Sequence, residues 1–179
     1  MAKYIFYLHP SPGTKLCDAV SKYWDMCTEI CKGYTNYALM YPFHVSLTGF
    51  FTLDEKNLEE ELDHVIEIGR EVFKNLQDKP VTDFHSYSFR GMSGITIKVP
   101  SISDKLFILE NIPGVKSKTG LHLTLYHEVE DSIRKIIENT TNIKIVRETE
   151  WENIDVILWK FDDKGKWIQV YDFGRQIRY

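Results

Sequence analysis

The chain has 179 residues, of which 43% are hydrophobic and 27% are charged, a size that allows one domain or two small lobes sharing a core. An aromatic content of 13% excludes a disordered chain, because disordered chains lack the large side chains that drive burial. The net charge of −4 argues against a protein that grips long nucleic acid, since such proteins are usually basic.

The predicted elements mix strands and helices without strict alternation. In chain order the patterns predict a strand at 4–8, a helix at 14–32, a strand at 43–51, a helix from 54 to about 78, a hairpin of strands at 81–90 and 95–99 with its turn at 91–94, a short helix at 103–110, a strand at 121–128, a helix at 131–139, and a hairpin of strands at 155–161 and 167–173. This order favours an α+β fold with largely antiparallel sheets, in which residues 1–179 form a single domain.

The cysteines and the hydropathy pattern indicate a cytoplasmic protein. Cys17, Cys27 and Cys31 all lie in the first predicted helix, and an odd, clustered set is typical of reduced thiols. Cys27 and Cys31 share one helix face, where we expect core packing rather than a metal site. No apolar run approaches the roughly 20 residues that a membrane-spanning helix needs, so we expect no membrane partner.

Two tetrapeptides share the pattern histidine, apolar residue, hydroxyl residue, apolar residue. They are His44-Val45-Ser46-Leu47 and His122-Leu123-Thr124-Leu125. Because side chains alternate along a strand, each motif anchors its apolar pair in the core and presents an imidazole beside a hydroxyl on the other face. In chains with this composition and its 6 histidines, two or more such matches arise by chance in roughly 1% of cases.

The pair of motifs points to phosphodiester chemistry. Histidine titrates near neutral pH, so one ring can accept a proton from water while the other donates one to the departing oxygen. Both limbs of the pH dependence are therefore expected near neutral pH. The hydroxyls of Ser46 and Thr124 are suited to hold the phosphoryl oxygens. The pattern contains no cluster of metal ligands, and no metal or other cofactor is expected.

These motifs resemble the two-histidine (2H) phosphoesterase superfamily, which includes LigT-like RNA 2′,3′-cyclic phosphodiesterases and nucleotide cyclic phosphodiesterases. Three further segments are similar to that family and extend the resemblance over nearly the whole chain, namely Leu8-His9-Pro10, Tyr41-Pro42-Phe43-His44 and the C-terminal hairpin Trp159 to Phe173. The resemblance implies two pseudo-symmetric lobes, each a mainly antiparallel sheet with helices outside, that face a central cleft. It also implies that His44 and His122 are the acid/base pair and that Ser46 and Thr124 bind phosphate.

Neighbouring positions extend the predicted site. Continuing the same strand faces places Thr48, Phe50 and Tyr126 in the cleft, with Thr48 and Tyr126 as further substrate-binding residues. The alternative for Tyr126 is a half-buried structural aromatic. Weaker candidates for the cleft are Tyr7, His9, Trp159, Lys116 and Lys118, whereas His127 is expected on the opposite strand face, and His64 and His85 in structural positions.

The sequence therefore predicts a monomeric, metal-independent phosphodiesterase. Its expected substrate is a cyclic phosphodiester, either a 2′,3′-cyclic phosphate or an ADP-ribose cyclic phosphate, on a small ribonucleotide or an RNA end. Three alternatives stay open. One is a 2′,5′-oligoadenylate or RNA 3′-end phosphodiesterase of the same superfamily, another is a nucleotide-binding module without catalysis, and the last is a structural domain in which both motifs are coincidental.

Overall fold

One antiparallel sheet organises the part of the chain that the structure describes. The structure, a computed structural model, describes residues 2–77, 83–89, 92–98, 106–119, 121–127, 129–140 and 153–179. The strands are β1 (Lys3–Pro10), β2 (Val45–Ser46), β3 (Asp83–Phe89), β4 (Met92–Lys98), β5 (His122–His127), β6 (Ile154–Phe161), β7 (Trp167–Asp172) and β8 (Ile177–Arg178). Their order across the sheet is β3-β4-β5-β2-β1-β6-β7-β8, and every neighbouring pair is antiparallel. The predicted α+β class with an antiparallel sheet is confirmed.

Three α helices are described with this sheet, namely α1 (Lys15–Ile30), α2 (Leu58–Gln77) and α3 (Asp131–Glu138). Short 3-10 helices cover Tyr37–Met40, Glu55–Asn57 and Phe107–Asn111. The hydroxyl of Thr14 caps α1 by accepting a hydrogen bond from the Cys17 N–H at 3.3 Å. Within the described residues, no helix combines the length and apolar character that crossing a membrane requires.

The helices cover one face of the sheet and leave the other face for the site. In β1 the side chains of Tyr4, Phe6 and Leu8 belong to the main hydrophobic core, which also contains the apolar stripes of α1 and α2. Ile5 and Tyr7 alternate with them and therefore project from the opposite face. On the helix side, Tyr23 of α1 donates its hydroxyl hydrogen bond to the Leu125 carbonyl of β5 at 3.0 Å.

The structure differs from the sequence prediction most at residues 43–51. Only Val45 and Ser46 form a strand there. The register in which Tyr7 pairs with Ser46 would place Tyr4 opposite residue 49, but Tyr4 instead forms an isolated bridge with Phe51. The pairing with β1 therefore slips by two residues after Ser46. A continuous ladder would need no such slip. The segment therefore leaves regular strand geometry directly after the first motif.

The predicted hairpin turn is shorter in the structure. Pairing continues to Phe89 opposite Met92, so the prediction of a turn is wrong for residues 92–94, which belong to β4. The predicted helix at 103–110 is described only in part, with Leu106 in helical conformation and the 3-10 helix Phe107–Asn111 directly after it. Residues 78, 81, 82, 90, 91, 99, 103–105 and 128 of the predicted elements lie outside the described residues.

Candidate active site

The two histidine motifs lie on neighbouring strands at the centre of the sheet. Val45 of β2 pairs with Leu123 of β5 in antiparallel register, and both side chains are fully buried. Extending this register by one residue in each direction from Val45 places His44 opposite Thr124 and Ser46 opposite His122. All four have their side chains on the face opposite to Val45 and Leu123, and all four are half-buried. The histidines then occupy one diagonal of this set, a geometry in which Cβ atoms are about 7–8 Å apart.

A cavity of about 290 Å³ opens on this face. His44, Ser46 and Thr124 line it, and so do aromatic side chains from three segments. His122 is not part of its lining, although it lies close enough for its charge to lower the pKa of His44. The aromatic residues are Tyr7 of β1, Trp24 of α1, and Tyr37, Tyr41, Phe43 and Phe50 from the segments around the first motif.

His44 is held in one tautomer and kept neutral. Its Nδ1 bonds to the Pro42 carbonyl oxygen, and since a carbonyl only accepts, Nδ1 carries the proton. Nε2 is therefore the basic nitrogen of the neutral ring. Burial lowers the pKa of His44 to about 4, the bond to Pro42 opposes this change, and the charge of His122 adds to it.

The ring of Tyr7 lies flat against the His44 imidazole. Their centroids are 3.6 Å apart and their planes differ by 14°. Tyr7 is only 1% exposed, so its face is covered by His44 and by its other neighbours. As a stacking surface for a substrate base, the role considered from sequence, Tyr7 is unsuited, because its face is already occupied.

His9 of β1 is also neutral, and its Nε2 is engaged in a hydrogen bond within the fold. Its Nε2 accepts a hydrogen bond from the Trp159 indole N–H at 3.1 Å. Burial first, and then the charge of His44, lower the pKa of His9 to about 3. His9 and Trp159 thus form a bonded pair next to Tyr7, whose ring centroid is 6.2 Å from that of His9.

Thr48 is not available to a substrate. It borders the cavity, but its side chain is wholly inaccessible, and its hydroxyl accepts a hydrogen bond from the Phe6 N–H at 3.2 Å. The slipped register supplies the reason, because it leaves this β1 donor without a carbonyl partner in the ladder and the Thr48 hydroxyl takes that place. The prediction that Thr48 binds substrate is therefore wrong.

A bulge in β5 exchanges the predicted positions of Tyr126 and His127. Pairing with β4 runs from Thr124 opposite Gly94 to Tyr126 opposite Ser93, so Leu125 is the extra residue. Beyond it the faces invert, and His127 lines the cavity whereas Tyr126 is 1% exposed and donates its hydroxyl to Glu138. The predictions of Tyr126 in the cleft and of His127 on the opposite face are both wrong.

The loop before β5 brings a positive charge to the cavity. Lys118 lines the cavity, and the Lys118 backbone N–H donates a hydrogen bond to the Leu47 carbonyl at 2.9 Å. Ser117 forms an isolated antiparallel β-bridge with Thr48. Glu110 fixes the same loop by accepting from the Ser117 N–H at 3.2 Å and from its hydroxyl at 2.7 Å. Of the two loop lysines considered from sequence, Lys118 is the one that lines the cavity.

Aromatic side chains cluster around Trp167 of β7, and the sequence patterns did not predict this cluster. Trp167 lies 5.5 Å from Tyr7, 5.7 Å from Tyr41 and 5.9 Å from Phe50, measured between ring centroids. Phe161 pairs with Trp167 across β6 and β7 and therefore shares its sheet face. The alternating aromatics of the last hairpin carried this signal, because residues at spacing two share a face. Tyr41 and Phe50 remain 43% and 48% exposed and form a rim.

The cavity brings together the neutral His44 imidazole, the hydroxyl residues Ser46 and Thr124, and Lys118, which are groups capable of binding an anion. Among the described residues, no group of three or more His, Cys, Asp or Glu side chains is arranged to bind a metal ion. Neither a protein-family model nor a curated protein sequence matches the chain.

Proposed function

We propose that the protein is a phosphodiesterase that works without a metal ion and hydrolyses a cyclic phosphodiester on a small ribonucleotide or an RNA end. The observation that carries this proposal is the diagonal set of two histidines and two hydroxyls on adjacent central strands, facing one side of the sheet. Such a set supplies a base, an acid and anion-binding groups at the same time.

In this proposal His44 is the general base and His122 the general acid. His44 is neutral and presents Nε2 as an acceptor, so it can take a proton from the attacking water as the water oxygen bonds to phosphorus. His122 donates its proton to the ribose oxygen as the phosphorus–oxygen bond breaks. Ser46 and Thr124 donate hydroxyl hydrogen bonds to the phosphoryl oxygens, and Lys118 adds positive charge.

The cavity supports a small substrate. Its volume of about 290 Å³ lies at the lower end of ligand pockets, which favours one nucleotide or the terminal nucleotide of an RNA over a long chain. The exposed rings of Tyr41 and Phe50 at its rim suit the planar face of a base. The net charge of −4 also favours a small anion bound locally over an extended polyanion.

Two pseudo-symmetric lobes are part of the proposal. The strand order is compatible with them, since the junction between the two motif strands separates β5, β4 and β3 on one side from β2, β1, β6, β7 and β8 on the other. Each half then contributes one motif to the cleft. The three cysteines are free thiols, two of them buried, which supports a reducing cytoplasmic environment, and we propose that the protein acts there as a monomer.

The direct test is turnover of a substrate panel with EDTA present. The panel contains the four 2′,3′-cyclic nucleotides, ADP-ribose 1″,2″-cyclic phosphate and short 2′,5′- and 3′,5′-linked oligoadenylates, with products separated by chromatography. We expect hydrolysis of a cyclic phosphate. Preference for an oligoadenylate would select the alternative branch, and loss of activity in EDTA would contradict metal independence.

His44→Ala and His122→Ala should each reduce kcat by about 100-fold or more, because each removes one proton-transfer group. The matched control is His64→Ala, since His64 is exposed on α2 and lies outside the site. Circular dichroism would verify that all three variants fold. Turnover near the wild-type rate in either site variant would contradict the assignment.

A further inference from the structure

The ring of Tyr7 is in direct contact with the His44 imidazole. Its ring lies 3.6 Å from that of His44 at 14°, whereas the next ring, that of Tyr41, lies 6.3 Å away and is tilted by 58°. The Tyr7 contact is therefore a face-to-face stack, and the Tyr41 contact is not.

The stack and the Pro42 bond constrain His44 in complementary directions. The Nδ1–H bond of an imidazole lies in the ring plane, so its hydrogen bond to the Pro42 carbonyl holds the ring at that edge. The Tyr7 ring covers one face and limits tilting out of the ring plane. Together they fix where Nε2 points without using that atom.

Tyr7 is itself held firmly. It is 1% exposed, it sits in β1 with Ser46 as its register partner, and Trp167 packs 5.5 Å away. A strand mount and a packed neighbour leave the ring little freedom to move. We propose that Tyr7 is a positioning residue that orients the His44 imidazole and shields it from water, which deepens the proposed function because it assigns a residue to the same site.

The Tyr7 ring, and not its hydroxyl, makes the contact with His44, so Tyr7→Phe should preserve the stack. Burial raises the pKa of Tyr7 far above its usual range, and Tyr7 therefore adds no charge next to His44. The other titratable groups that face His44 are His9 on β1, His122 on β5 and Tyr41, and the same cavity is lined by Lys118, His127 and Tyr37. None of them changes in the test variants.

The experiment compares Tyr7→Phe and Tyr7→Leu by NMR titration of the His44 ring protons in the full chain without substrate. Assignment comes from the signal lost in His44→Gln. Wild type and Tyr7→Phe should titrate alike, whereas Tyr7→Leu should raise the His44 pKa by about one unit or more, because water reaches the ring. Tyr4→Leu is the control, since Tyr4 is a buried tyrosine of the same strand on the opposite face.

An unchanged His44 titration in folded Tyr7→Leu, or an equal change in Tyr7→Phe, would overturn the proposal. Should Tyr7→Leu fail to fold, wild-type spectra decide the point. The stack predicts nuclear Overhauser contacts between the Tyr7 and His44 rings and an upfield shift of the His44 ring protons, and their absence would overturn it as well.

Kinetics supply the second readout. Tyr7→Leu should lower kcat by about 10-fold or more with KM within about threefold, and Tyr7→Phe should retain most of kcat, because a misplaced base affects the chemical step rather than binding. If wild-type protein hydrolyses nothing in the panel, the proposed function fails while the NMR titration still tests the role of Tyr7. The two failures are therefore distinguishable.

Discussion

His44 shows how one residue acquires its properties from its neighbours. Histidine in water titrates near pH 6.5, but burial lowers the pKa of this ring to about 4. The Pro42 carbonyl fixes its tautomer and Tyr7 covers its face. Neither Pro42 nor Tyr7 belongs to the motif that begins at His44, so the motif identifies His44 as a candidate base without determining its protonation state.

This environment predicts the pH dependence of the reaction. As pH increases through about 4, His44 loses its proton and kcat/KM should rise. The acid limb is thus displaced from the neutral position that the sequence alone predicted. Rate profiles of the preferred substrate check this, with circular dichroism at each pH to separate titration from unfolding. An acid limb near neutral pH would argue against His44 as the base.

Irregularities in strands decide which residues of an element reach the site. A regular β5 would present every second residue, and the bulge at Leu125 instead turns Tyr126 toward the helices and His127 toward the cavity. The two-residue slip after Ser46 similarly removes Thr48 from the accessible face. The slip begins after the first motif and the bulge lies at the last residue of the second, so His44, Ser46, His122 and Thr124 keep the alternation that strand geometry predicts.

The segment after β2 offers a stability test of this account. Thr48→Val removes the hydroxyl that accepts from the buried Phe6 N–H, and should lower the free energy of unfolding by about 1–3 kcal/mol. Urea denaturation measures the loss. Thr28→Val is the comparison, because the Thr28 hydroxyl is exposed on α1 and its removal should change stability by about 0.5 kcal/mol or less. A raised KM with unaltered stability would instead restore Thr48 as a substrate ligand.

Two described histidines, His44 in the cavity lining and His9 near it, are neutral in the fold of the whole molecule, and this couples folding to pH. His44 and His9 have pKa values of about 4 and about 3 in the fold, below the value of about 6.5 expected when unfolded. Between these values the unfolded chain binds more protons, so the free energy of unfolding falls as pH decreases. Asp155 acts in the opposite direction, because burial raises its pKa.

We expect a net loss of about 1–3 kcal/mol in the free energy of unfolding from neutral pH to about pH 5. Denaturant unfolding at a series of pH values measures it. His9→Gln cannot titrate, so it should flatten the dependence, whereas His64→Gln on the exposed face of α2 should leave it unchanged. Stability that stays constant over this range would contradict neutral His9 and His44 in the fold.

The sequence by itself determined the α+β class, most helix positions and the four motif residues, because helical periodicity and strand alternation are local properties of the chain. His44 and Ser46 share a face for the same reason that His122 and Thr124 do. Tertiary structure alone decided that the two motifs pair across β2 and β5 and that Tyr7 stacks on His44. It also decided that the bulge at Leu125 places His127 rather than Tyr126 at the cavity. The register slip after Ser46, likewise, buries Thr48. These outcomes depend on hydrogen-bond register between strands far apart in the chain, and register is set by the packing of the whole sheet.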